Sequence, residues 1–238
     1  MIMASWSKTA CVACSWRVCH NITLIAFECM FAHPRFHLLF HIKEQAMPKT
    51  NRSGQAATLT TAQLDSIMHE LQPLVRAAVS TCRYTAARVN EALSLKWEKR
   101  TSTDVVIPKA VTKKKMRTRT TPMNPLLRAE LTAWKLHWPT QFKRDLGPSD
   151  YLFPHASDMS KHATRQNIDF ALRKICKKLN IEGCSTHSFR RSALTAASDK
   201  GVPLRVLQSI SGHSSLEMLQ RYLDVREDQK RQAALAFG

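Results

Sequence analysis

From residue 60 onward, apolar side chains recur every three or four positions. Leu64, Ile67, Met68 and Leu71 fall on one face of a helix, and Thr60 followed by Gln63 has the form of a capping box. Pro73 suits the first turn of a second helix carrying Leu74, Val75, Ala78 and Val79. A third helical segment runs through Val89, Ala92, Leu93 and Leu95. Val105, Val106 and Ile107 then break the helical period and read as a strand. A second extended piece ends at Pro122, and the basic run 113–119 lies between the two, which predicts a small hairpin. Pro125 opens another helix with Leu126, Leu127, Leu131 and Trp134 on one side, and residues 139–162, with Pro139, Gly147, Pro148 and Pro154, read as loop. Ile168, Leu172, Ile175 and Leu179 mark a further helix. Ser185 and Thr186 suit the cap of the next one, which Gly201 ends. Short helices surround 204–210 and 216–219, and the tail 224–238 is helix-prone. No internal repeat is visible. The pattern predicts an α+β fold, mainly α, with one small antiparallel β-sheet.

Residues 1–46 have a different character, rich in Phe, Trp, Cys and His and poor in charge. The apolar stretch 22–27 is too short to span a bilayer, and Glu28 interrupts it. No small-residue cleavage site follows an uninterrupted apolar core, so a signal peptide is not expected. Residues 47–54 read as a polar start. The expected organisation is an atypical N-terminal extension over 1–55, with Met47 as a candidate natural initiator, and one domain over 56–238.

Composition sharpens the choice of partner. The 238 residues hold 36 Lys and Arg against 18 Asp and Glu, a net charge of +18. Such an excess favours polyanions, because each Lys or Arg that neutralises a phosphate releases a condensed counterion. Nucleic acid leads, with anionic membranes and acidic proteins behind it. The seven cysteines are odd in number and uneven in placement, which speaks against a secreted disulfide framework and for a reduced, intracellular setting. Cys11, Cys14, Cys19 and His20 invite a zinc reading, but no second pair follows at ligand spacing, so no metal is expected.

The polar residues that carry chemistry are few. His187 and Arg190 stand three apart near a helix start, where side chains share a face and anions are favoured. His213 follows Gly212 in a second segment, and Tyr222, one of three tyrosines, lies nine residues further on. Upstream, Arg88 precedes Glu91 by three residues. Taken singly, each has an ordinary reading: arginines of a basic chain contact solvent or phosphate, histidines satisfy helix ends, and Tyr222 beside Leu219 and Leu223 is a core-edge aromatic.

Together, in the order Arg, Lys on a hairpin, His-x-x-Arg, Gly-His and Tyr, these residues resemble the catalytic domain of the tyrosine recombinase (phage integrase) family over about residues 56–238. The resemblance implies a metal-independent enzyme with no cofactor that cleaves and rejoins DNA through a 3′-phosphotyrosyl intermediate, for integration, excision or inversion. Tyr222 is the implied nucleophile and His187 its base. Arg88 and Arg190 form the implied phosphate clamp, His213 donates a further hydrogen bond, and Glu91 buttresses Arg88. The family lysine precedes the hairpin-ending proline by eight residues, which selects Lys114 over Lys113 and Lys115. The implied partners are double-stranded DNA, further copies of the chain in a homo-tetramer with exchange of the C-terminal tail, and an accessory DNA-binding factor. No membrane is implied, and the expected location is cytoplasmic and DNA-associated. The family's usual core-binding domain has no counterpart in the composition of 1–55, so a short form is expected. A non-catalytic helix-turn-helix regulator over 204–223, a decayed integrase and a type I topoisomerase are the rival functions.

Overall fold

Thr60 caps the first helix as expected: its hydroxyl accepts the Gln63 N–H at 3.2 Å while the Gln63 side chain accepts the Thr60 N–H at 3.0 Å. The computed structural model describes residues 55–112, 117–223, 227–235 and 237. The N-terminal extension with Met47 and the cysteine-rich segment, the lysines at 113–115 and the first residues of the tail lie outside the described residues. The elements run α1 (Thr61–Glu70), α2 (Pro73–Thr85), α3 (Val89–Leu93), β1 (Asp104–Ile107), β2 (Arg119–Pro122), α4 (Pro125–Phe142), α5 (Arg165–Lys178), α6 (Thr186–Asp199), α7 (Leu204–Ser211), α8 (Leu216–Gln220) and α9 (Glu227–Leu235). The fold is mainly helical with one two-stranded antiparallel sheet, in which Val105 pairs with Thr121 and Ile107 with Arg119.

Two apolar clusters organise these elements. The larger gathers α1 to α5, the hairpin and Phe189 of α6, with α2 at its centre packing against both α4 and α6. Ala77, Ala78 and Val79 of α2 are all but inaccessible, since small side chains let two helices approach the same segment. The smaller cluster joins Ala86, Leu194, Leu207 and Leu219, tying α6 to α7 and α8. Glu91 of α3, Arg190 of α6 and His213 of the α7–α8 turn are buried polar residues placed between elements of the two clusters.

α4 overruns the loop expected from residue 139 and continues to Phe142. Trp134, Trp138 and Phe142 repeat at a spacing of four, and the Trp138 and Phe142 rings meet at a 55° tilt with centroids 4.6 Å apart. Pro139 sits in the last turns, where the local aromatic packing outweighs the single backbone hydrogen bond that proline removes. The end of α6 follows expectation: the Gly201 N–H bonds the Ser198 carbonyl at 2.9 Å, with Gly201 at φ +80°. Among the described residues no helix is long and apolar enough to cross a membrane.

Candidate active site

The end of α2 sets the site's geometry. Ala86 occupies the left-handed region at φ 49°, ψ 28°, a conformation that costs a residue with a Cβ about 1 kcal/mol. It turns its carbonyl inward, where it accepts a hydrogen bond from Arg190 Nη1. Two residues later Arg88 stands at the N-cap of α3. Its side chain donates from Nη1 to Glu91 Oε1 at 3.0 Å, and its backbone N–H donates to Glu91 Oε2, also at 3.0 Å.

Glu91 is 1% exposed and serves a second cation. Arg119, the first residue of β2, donates from Nη2 to Glu91 Oε2 at 2.5 Å. Burial acts to raise the Glu91 pKa. The hydrogen bond and charge of Arg119, with the backbone N–H and charge of Arg88, outweigh it and hold the carboxylate below its usual range. Glu91 thus holds both arginines, one partly exposed at the cleft and one buried behind it. Sequence reading took Glu91 as a buttress for Arg88 and overlooked Arg119. The available signal was strand alternation, since Arg119 and Thr121 occupy the inward phase of β2 and Thr120 and Pro122 the outward one.

Arg190 is 1% exposed. Besides Ala86, it donates from Nη2 to the Ser211 carbonyl at 2.9 Å, and the same nitrogen lies 3.1 Å from His213 Nε2. Burial lowers its pKa to about 10, with the nearby charge of Arg88 acting in the same direction, so the guanidinium stays charged at neutral pH. His213 is 3% exposed and its Nδ1 lies 2.7 Å from Ser211 Oγ. Burial first, then the charges of Arg190, Arg88 and Arg119, push His213 down to about 3, which leaves its ring neutral. A guanidinium only donates, so the network assigns the lone pair to Nε2 and the proton to Nδ1, facing Ser211.

Tyr222 follows α8. Its N–H bonds the Leu219 carbonyl at 2.9 Å, and its own carbonyl accepts from Thr195 Oγ1 of α6 at 3.2 Å. Its ring lies 4.9 Å, centroid to centroid, from that of His213. An open cleft of about 560 Å³ is lined by Arg88, His187 and Tyr222 together with Thr112, Gly212 and Ser214. The structure therefore brings Arg88, His187 and Tyr222 to one cavity. It places His213 at the adjoining cleft and buries Arg190 beneath them, among the lining residues of neither. Lys114 lies outside the described residues, between Thr112, which lines both clefts, and Arg117, which lines the adjoining one.

Two further residues anchor α6. Arg191 donates from Nη1 to the Ala56 carbonyl at 3.1 Å and to the Gln55 side chain, and Ser192 Oγ accepts the Leu59 N–H at 2.8 Å. The strand-like approach to α1 is thus pinned along α6, on the side that carries His187.

This constellation can bind an anion, orient a phenol beside it and accept a proton. The profile of the phage integrase family matches residues 57–229. A tyrosine recombinase of Synechococcus elongatus is 53% identical over 45 residues, a match spanning 18% of this chain and 14% of that protein. Among solved structures, the Tn1549 transposon integrase in complex with circular intermediate DNA superposes with a TM-score of 0.64 at 18% identity, covering 82% of this chain and 69% of that one. XerA recombinase superposes with a TM-score of 0.61 at 20% identity, covering 77% of this chain and 66% of that one. XerH recombinase bound to difH substrate, in a pre-cleavage complex, superposes with a TM-score of 0.58 at 18% identity, covering 79% and 56%.

Proposed function

The chain belongs to the phage integrase family, and from that premise we propose that it is a site-specific DNA recombinase whose Tyr222 cleaves and rejoins strands of duplex DNA. The observation that carries this reading is the shared cleft in which Arg88, His187 and Tyr222 converge. A regulator that only bound DNA would have no use for a tyrosine whose ring stands against a buried histidine and which lines one cleft with a partly exposed arginine and a second histidine.

In the proposed reaction the Tyr222 phenolate oxygen attacks a phosphodiester. A bond forms between that oxygen and phosphorus, and the bond to the 5′ oxygen breaks. The product is a 3′-phosphotyrosyl link that conserves the ester for transfer to another strand. A tyrosine is almost fully protonated near neutrality, so a base must take its proton, and His187 lines the same cleft. The departing 5′ oxygen takes a proton from Lys114. Negative charge gathers on the non-bridging oxygens in the transition state, and Arg88 meets it at the cleft. Arg190 contributes its charge from below the floor, where low dielectric strengthens its field. His213 serves Arg190 first. To donate toward the phosphate, its ring takes the tautomer opposite to the one that Arg190 selects: Nε2 gives up its contact with Arg190 and carries the proton, and Nδ1 accepts from Ser211 Oγ.

No cofactor enters this scheme. The proposed setting is the DNA-associated cytoplasm, and the proposed assembly is a homo-tetramer on DNA with C-terminal tails exchanged, assisted by an accessory DNA-binding factor. Covalent trapping tests the chemistry. A supercoiled plasmid carrying the gene's own flanking DNA is incubated in EDTA with the wild type or with Tyr222→Phe. A protein-linked or rearranged DNA product formed by the wild type alone is the expected result. An adduct of equal yield from both proteins would remove Tyr222 from the role.

A further inference from the structure

Beside the cleft that holds Tyr222 lies a second one of about 310 Å³. The two share Arg88, Thr112, Gly212 and Ser214. The second contains neither Tyr222 nor His187. Four arginines line it instead: Arg88, Arg117, Arg119 and Arg205, with Gln208 between Arg205 and the His213 turn. No carboxylate is among its lining residues in the described part of the chain. Glu91, which balances Arg119, lines the first cleft instead and is already engaged with two cations.

Unlike charges scattered over a solvated face, these have a built floor. Arg119 is 7% exposed, lines the cleft, and its buried Nε has no hydrogen-bond partner among the described residues. Glu91 accepts from Nη2 of the same guanidinium, and the Nε–H is left as a buried donor whose lost hydration nothing replaces. At the rim, Arg205 Nη1 lies 3.5 Å from Gln208 Oε1, and Gln208 Nε2 donates to the His213 carbonyl at 3.3 Å. The rim arginine is thereby linked to the turn that carries His213.

We propose that this second cleft is a subsite for the phosphate next to the scissile one on the same DNA strand, held by Arg117 and Arg205 at the rim over Arg119. It rests on the recombinase reading for the identity of the scissile phosphate. Arg88, common to both clefts, sits between the two phosphates. Forked guanidiniums converging from the hairpin, α7 and α3 suit a tetrahedral diester better than point charges, and they fix the strand's register without reading its bases. Seating the neighbouring phosphate would align the reacting one with Tyr222. Arg117 and Arg205 are positioning residues in this scheme.

The experiment measures binding of the full chain to its flanking duplex, with one neutral methylphosphonate linkage walked along each strand. Wild type is compared with Arg205→Ala and Arg117→Ala; both residues are exposed, so the fold should tolerate the changes. At one linkage, neutralisation should weaken wild-type binding about tenfold, the worth of a charge-assisted hydrogen bond, and weaken the Arg205→Ala protein far less. Each arginine variant should lower the salt slope of binding by about one. Where the wild type forms a Tyr222 adduct, the coupled linkage should adjoin the linked phosphate. Equal loss in wild type and variants at every linkage would overturn the proposal, as would coupling only at remote linkages. Inorganic pyrophosphate distinguishes a free anion as the occupant. If it raises the melting temperature of wild type but not of Arg205→Ala, while no linkage couples, the cleft takes a small anion and the DNA assignment falls. Adduct formation is a separate readout, so loss of the recombinase reading is told apart from loss of the subsite.

Discussion

Arg119 and Glu91 form a buried ion pair, Nη2 to Oε2 at 2.5 Å, that fastens the β-hairpin to the helix carrying Arg88. Their side chains are 6% and 2% exposed, so each charge depends on the other for solvation. Removing one partner of such a pair strands the remaining charge and costs about 3–5 kcal/mol. Glu91→Ala should therefore lower the melting temperature by roughly ten degrees or more in a domain of this size. Replacing both residues with methionine should recover a large part of that loss, since the one cation then left without its carboxylate, Arg88, is partly exposed at the cleft. Differential scanning calorimetry of the single and double variants decides it: a double variant no more stable than Glu91→Ala would show that the pair's desolvation is not the governing cost.

Gly212 meets the same arginine from the other side. It lies at φ +67°, and a Cβ placed there would stand 2.5 Å from Arg119 Nη1. The clashing atom ends a flexible side chain, yet that side chain is tethered by Glu91 and cannot swing without breaking the ion pair. Gly212→Ala should cost about 1–3 kcal/mol from backbone strain and displacement of Arg119. Arg119→Ala combined with Gly212→Ala should cost less than the sum of the two single changes, because the clash is then gone. Additive melting shifts across the four proteins would contradict the close approach.

Much of this arrangement is legible in the sequence, and the remainder has identifiable causes. Helical periodicity placed α1, α2 and α5, because their stability comes from a buried stripe that any core of this kind requires, and the cap residues at 185–186 with Gly201 placed α6. The end of α4 was hidden by Pro139, whose local signal says stop while Trp134, Trp138 and Phe142 continue the apolar face. The spacing of His187 and Arg190 correctly implied a common helix, yet burial differs sharply between them. Arg190 points under the cleft because the carbonyls of Ala86 and Ser211 draw it there, and the aim of those carbonyls depends on backbone conformations that spacing cannot reveal. Arg119 escaped notice for a related reason. In a basic run each cation looks solvated, and only the phase of a four-residue strand distinguishes the one that turns inward.

The neutral state of His213 has a consequence for acid stability. Its folded pKa, pushed down to about 3, lies below the ordinary histidine value near 6.5. The folded state therefore binds fewer protons than the unfolded chain between those two values. Stability rises with pH wherever the unfolded state binds more protons, so the contribution is present above about pH 6.5 and is lost as pH falls toward 3. Between about pH 6.5 and 5, before carboxylates titrate in bulk, the melting temperature of wild type should fall more steeply than that of His213→Gln. Parallel slopes for the two proteins in that window would place the histidine in a more solvated setting than the structure shows.

The two arginines proposed to serve the phosphate should fail in different ways when removed. Arg88 has a side chain 25% exposed, and Glu91, its acidic partner, keeps Arg119 when Arg88 is lost. Arg88→Ala should therefore cost only about 1 kcal/mol of stability, a few degrees of melting temperature, while abolishing the Tyr222 adduct. Arg190 is different because it closes the seam between the two apolar clusters. Its removal leaves the Ala86 and Ser211 carbonyls buried without their donor, at about 1–3 kcal/mol for each, and frees the strained turn at Ala86. Arg190→Ala should thus lose adduct formation and melt well below Arg88→Ala. Arg190→Lys retains a charge but offers no fork to span two carbonyls, so it should recover little of either property. Thermal melts read beside covalent trapping separate the cases. An Arg190→Ala protein as stable as Arg88→Ala would mean that the buried guanidinium is not what joins α6 to the turns at Ala86 and Ser211.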